Sequence, residues 1–314
     1  MTTRFLKSPS TRSRQGRLTL PVVFSGPGFS RDGTPSAWLL ATSAFVLFGL
    51  LQDTGLHSFV TIFACVSMLV IGMPHGMFDY LTLRRRSGHS KVRLVSWIAA
   101  YCGLGALALA GWQFVPLLAL ALFLVIAVVH FSEDWHHGPS VLFSIAMATS
   151  VIALPALIYP EELSRLFTLV AGTDARILTD IVRLIAPLAL LISLVFVVIE
   201  ASEQRSASAF RNAVLLASAL LLPPGVGFAL FFCLYHSPRH FVEGYDELEG
   251  SQLDRRRFFM YLTTASAAVF LLVTFVQPAA MMDQIVIASI FQTLAILTLP
   301  HLLLPYLTHR SFRI

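Results

Sequence analysis

Nine apolar runs dominate this chain, at about 37–52, 57–83, 92–111, 114–131, 140–158, 181–200, 212–242, 257–277 and 284–306. An α-helix needs about 20 apolar residues to cross the hydrocarbon core of a bilayer. Lipid offers no water to exposed peptide groups, so each run has to close its hydrogen bonds within itself, as a helix does. The expectation is an all-α, polytopic integral membrane helical bundle with about 8–10 transmembrane segments. Composition excludes the soluble alternative: 56% of residues are hydrophobic and 12% charged, whereas about a quarter are charged in a soluble domain. The 314 residues then divide into a disordered basic cytoplasmic tail at 1–36, a transmembrane helical domain at 37–306 and a short C-terminal tail at 307–314.

The formal charge of +5 does not point to nucleic acid, because the cations form no ordered basic surface. Arg4, Lys7, Arg12, Arg14, Arg17 and Arg31 fall in the polar N-terminus, and most others fall in short loops. No apolar core of a signal peptide lies between the early arginines. Cys65, Cys102 and Cys233 all fall in apolar runs and indicate neither a disulfide framework nor a zinc site. The basic tail and the loop RRRSGHSKVR at 84–93 flank the first two runs, which places both on the cytoplasmic side. The long run 212–242 contains Pro223, Pro224 and Gly225. A hairpin broken there returns the later basic segments to the cytoplasm, so a re-entrant or tilted hairpin is preferred to one kinked helix. A short amphipathic piece, EELSRLFTLV at 161–170, is expected at the interface.

Ionisable groups at membrane depth are costly and mark function by default. With the hairpin, His75, His130, His236, His240 and His301, from four separate segments, all come to the cytoplasmic leaflet. A lone imidazole at a helix end is ordinarily a hydrogen-bonded interfacial residue, and His136 and His137 read that way; five at one depth do not. His236 and His240 are four apart and share a helix face, although Pro238 between them can bend the backbone. His75 and His130 can complete four nitrogen ligands, with His301 a fifth candidate or a supporting residue. Asp79 follows His75 by four, Asp134 follows His130 by four and Glu243 follows His240 by three, so each carboxylate can hold the outer nitrogen of an imidazole. Arg239 suits a lipid phosphate, a helix C-terminus or the site itself. Imidazole sets suit zinc, copper, iron and nickel; a nitrogen-only centre in an apolar bundle with 25 Phe suits Fe(2+) activating dioxygen beside an apolar substrate.

PHGMFDYL at 74–81, HFSEDW at 130–135, FCLYHSPRH at 232–240 and TLPH at 298–301 resemble, in order and spacing, the signature segments of the Brp/Blh family of membrane beta-carotene dioxygenases. The resemblance covers roughly 37–306. It implies central cleavage of beta-carotene by dioxygen to two all-trans-retinal, non-haem iron held by His75, His130, His236 and His240, and a bacterial inner-membrane location with a cytoplasmic N-terminus. A microbial rhodopsin as retinal acceptor is a further implication. Tyr235 stands where the family more often has an indole. Two other classes stay open: a non-catalytic carotenoid-binding relative and a His-dependent membrane transporter. A di-iron hydroxylase is disfavoured, since it needs repeated histidine boxes and this chain has one HxxxH.

Overall fold

The structure, a computed structural model, describes residues 57–72, 78–88, 90–136, 138–203, 205–240, 252–276 and 281–308. The tail at 1–36, the first apolar run, His75 and Glu243 lie outside the described residues. Within them the chain is all-helical. The elements are α1 His57–Ser67, wound on as a π-turn at Met68–Gly72, then α2 Phe78–Ser87, α3 Lys91–Phe114 and α4 Pro116–Ser132, which tightens into a 3-10 turn at Glu133–Trp135. There follow α5 Val141–Ala153, the single turn α6 Pro155–Ile158, α7 Pro160–Ala171, α8 Arg176–Ser202, α9 Ser206–Leu221 and α10 Pro224–Phe231 with a π-turn at Phe232–His236. Two long helices, α11 Gln252–Phe275 and α12 Met282–Thr308, complete the bundle.

Among the described residues, four helices are long and apolar enough to cross a membrane: Lys91–Phe114, Pro116–Trp135, Arg176–Ser202 and Met282–Leu304. Helix α8 shows the inside-out logic. Leu184, Leu188, Leu191, Val195 and Val198 are all exposed, Leu184 to 81%, along one stripe with alternating steps of four and three. The buried stripe instead carries Ala186, Ala189, Ser193 and Val197. Large aliphatics face outward because lipid welcomes them, and small residues face inward because close backbone approach supplies the packing that hydrophobicity does not supply in lipid. Ser193 meets Ser150 of α5, hydroxyl to hydroxyl, at 3.2 Å.

Breaks in the apolar runs fall where backbone chemistry requires them. Run 140–158 is divided at Leu154 and Pro155. Ser140 caps α5 by accepting the Phe143 amide at 3.1 Å. Run 212–242 is a hairpin: α9 ends at Leu221 and α10 starts with Pro224 at its first turn, where a missing N–H costs nothing. The two arms touch so closely that a Cβ on Gly227 would lie 3.1 Å from the Ser218 carbonyl oxygen. The amphipathic segment expected at 161–170 is α7, whose buried face is Leu163, Phe167 and Val170. Near its end the Val170 carbonyl accepts the indole of Trp112 at 2.8 Å and the Gln292 amide at 2.7 Å. These bonds tie α3 and α12 to α7 using a carbonyl from the turn that helix geometry leaves unpaired.

Candidate metal centre

Helices α4, α10 and α12 each deliver histidine to one place. His130 ends α4, His236 closes the π-turn of α10, His240 lies one helical turn on, and His301 comes from α12. His130 is the hub, its ring centroid 4.9 Å from His236, 5.8 Å from His240 and 5.2 Å from His301. His236 and His240 are 4.7 Å apart. An imidazole nitrogen binds a first-row metal at about 2.1 Å, which sets neighbouring ring centroids on one ion roughly 4.5–5.5 Å apart. Three of the four spacings fall in that range, and the His130–His240 spacing lies just beyond it. Ligand atoms of Asp134, His236 and His240 also lie within 4.8 Å of one another.

The π-turn explains how Pro238 is tolerated between the two histidines. Proline has no N–H for the carbonyl four residues back and crowds it. Widening just before it, with the Ser237 amide bonded to Phe232 O, accommodates the ring and keeps His236 and His240 on one face.

Carboxylates orient the rings, and Asp134 does so with partners other than the one its spacing suggested. Asp134 was expected to serve His130. Instead its Oδ2 accepts His236 Nδ1 at 2.8 Å, and its Oδ1 lies 3.5 Å from His240 Nε2. The cause is the 3-10 turn: at three residues per turn, positions i and i+3 eclipse, so Glu133 comes under His130, Oε2 to Nδ1 at 3.8 Å, and Asp134 turns inward. Asp79 was expected to serve His75, which lies outside the described residues; its Oδ1 accepts His301 Nδ1 at 2.8 Å and its Oδ2 accepts the Tyr101 hydroxyl at 2.7 Å. A carboxylate on Nδ1 directs Nε2 away from it, which is the usual support of a metal-binding imidazole.

Asp134 is 1% exposed and His236 0%. Phe131, Phe231 and Phe232 close around His236, with ring centroids at 4.9, 5.9 and 5.3 Å. The Asp134 carbonyl accepts Tyr235 at 3.4 Å and Arg239. Arg239 also meets His136 at 3.2 Å. Of the roles open to it, Arg239 takes the helix C-terminus, where its cation opposes the negative end of α4.

A chain of buried polar groups supports this turn from behind, and no sequence motif announced it. Glu200, 1% exposed, accepts Asn212 Nδ2 at 2.8 Å and Ser208 at 3.2 Å. Asn212 Oδ1 accepts the Trp135 indole at 3.0 Å. Asn212→Leu leaves a carboxylate oxygen and an indole N–H unpaired, and at 1–3 kcal/mol for each such group it should lower stability by about 3 kcal/mol. Denaturant unfolding in detergent measures this, and a loss under about 0.5 kcal/mol, the range of a neutral surface change, contradicts it.

Beside the cluster lies an apolar cavity of about 500 Å³. Leu109 of α3, Val269 and Leu272 of α11, and Leu294 and Leu297 of α12 line it, and His130, His301, Asp79 and Tyr101 form part of its wall.

Fold and site together define a membrane protein, helical throughout its described residues, that holds a histidine and carboxylate cluster beside an apolar cavity. The chain belongs to the beta-carotene 15,15'-dioxygenase family, whose family model matches residues 66–309. A protein of uncultured marine bacterium 66A03 named beta-carotene 15,15'-dioxygenase is 27% identical over 251 residues, covering 77% of this chain and 91% of that relative. No solved structure matches the chain.

Proposed function

We propose that this chain cleaves the central double bond of beta-carotene with dioxygen, yielding two molecules of all-trans-retinal, at ferrous iron held by its histidines. The observation that carries the reading is that an imidazole cluster forms part of the wall of an apolar cavity of about 500 Å³. Family membership supplies the substrate. The reaction balances without a reductant: one C=C bond breaks, two C=O bonds form, and both oxygen atoms of dioxygen enter the products.

Iron bound here supplies the activation of dioxygen that an alkene alone does not undergo. His130, His236 and His240 would hold it, with His301 the fourth imidazole of the described cluster and His75 a further ligand implied by the family resemblance. Asp134 and Asp79 fix ring orientation by accepting the Nδ1 protons of His236 and His301. The aliphatic wall excludes water and sets which bond faces the centre, since a long polyene offers many similar bonds and only position selects among them. The substrate enters laterally from the lipid. The protein resides in the bacterial inner membrane with its N-terminus in the cytoplasm, and passes retinal to an acceptor such as a microbial rhodopsin.

Expression in cells that accumulate beta-carotene tests the reading. Retinal should appear and the orange colour fade; orange cells containing well-expressed protein and no retinal contradict it. Gly105, where an added Cβ meets only Ile296 at 3.5 Å, offers a specific probe of the cavity. Gly105→Phe should fill the space, lower retinal output by about 10²-fold through misplacement of the polyene and leave bound metal unchanged. Undiminished output from this variant would remove the cavity from the account.

A further inference from the structure

We propose that Tyr101 is a positioning residue of the centre, holding His301 in place through Asp79. The inference rests on the metal reading above and concerns a residue that neither the motifs nor the family resemblance singled out. Tyr101 lies on α3, whose membrane-spanning window contains no fully buried residue. Its hydroxyl points inward and donates to Asp79 Oδ2 at 2.7 Å, while His301 Nδ1 donates to Asp79 Oδ1 at 2.8 Å. One carboxylate thus bridges two helices, α3 and α12.

The chemistry gives each atom a separate task. A carboxylate bonded on one oxygen only can rotate about its terminal torsion, which is broad and soft for aspartate. Two donors fixed on different helices and acting on opposite oxygens lock its plane, and with it the direction in which the His301 ring presents Nε2. Asp79 is 8% exposed, and a buried charged oxygen without a donor is costly. The ring of Tyr101 belongs to the cavity wall with His301, and a phenylalanine ring would line it equally well. The hydroxyl is therefore surplus to the wall and acts on the carboxylate.

Tyr101→Phe separates the two tasks, since it keeps the ring and removes only the bond to Asp79. The purified full chain, stripped of metal in detergent, is titrated with cobalt(II), whose visible absorption reports both affinity and ligand geometry. Tyr101→Phe should bind cobalt about tenfold more weakly, as loss of an outer partner typically does, and with an altered spectrum. Asp79→Asn should shift the spectrum in the same direction, and Val269→Ala, a change confined to the cavity wall, should alter neither affinity nor spectrum. Wild-type affinity and spectrum in both Tyr101→Phe and Asp79→Asn overturn the positioning role. A wild-type chain that binds no cobalt overturns the histidine centre itself, and this inference with it.

Discussion

Alanine at position 236 should leave a protein that makes no measurable retinal. His236 is the most enclosed member of the cluster, at 0% exposure, ringed by three phenylalanines and bonded to Asp134 at 2.8 Å. On the proposed ligand set, its loss removes a metal-binding imidazole and takes the nearer donor from a buried carboxylate. Metal catalysis supplies several kcal/mol of transition-state stabilisation, and each 1.4 kcal/mol is tenfold, so turnover should fall by about 10³-fold or more. The cavity left by the ring also destabilises the fold, by about 2 kcal/mol on the scale of large-to-small changes. His236→Gln keeps most of the volume and separates the effects: it should approach wild-type stability and still lack activity. Substantial retinal from His236→Gln would mean that this imidazole is not a ligand.

Asparagine at position 134 should weaken metal binding by about 10- to 100-fold, the usual result of removing an outer partner. The basis is that Asp134 serves two histidines at once, with one oxygen 2.8 Å from His236 and the other 3.5 Å from His240. Asparagine preserves the volume and one acceptor but not the charge. Iron content measured over a series of free-iron concentrations gives the shift. An unchanged affinity would reduce Asp134 to a packing residue.

Much of this was legible in the sequence because membrane helices and buried imidazoles both announce themselves. The apolar runs gave the helical class, and the two prolines before Gly225 marked the hairpin that the Gly227 contact with Ser218 now shows. Positions 130, 236, 240 and 301 were legible as exceptions to the apolar pattern. The partner of Asp134 was not, because residues 133–135 wind as a 3-10 turn and depart from α-helical spacing. One residue of tighter winding passed Asp134 from His130 to His236. Tyr101, Asn212 and Glu200 were missed for a different reason. Each reads as an ordinary residue of its helix, and their partners lie 22, 77 and 12 positions away, distances to which no local periodicity points.

The central claim is that the histidine cluster uses iron to break one particular bond. The direct measurement is the product balance of the purified protein on beta-carotene, first stripped of metal and then resupplied with ferrous iron in air. The account predicts two retinal molecules for each beta-carotene consumed, no conversion without iron, and none from His236→Gln at any iron concentration. Turnover that survives metal removal, or products of unequal length from an off-centre bond, would contradict it.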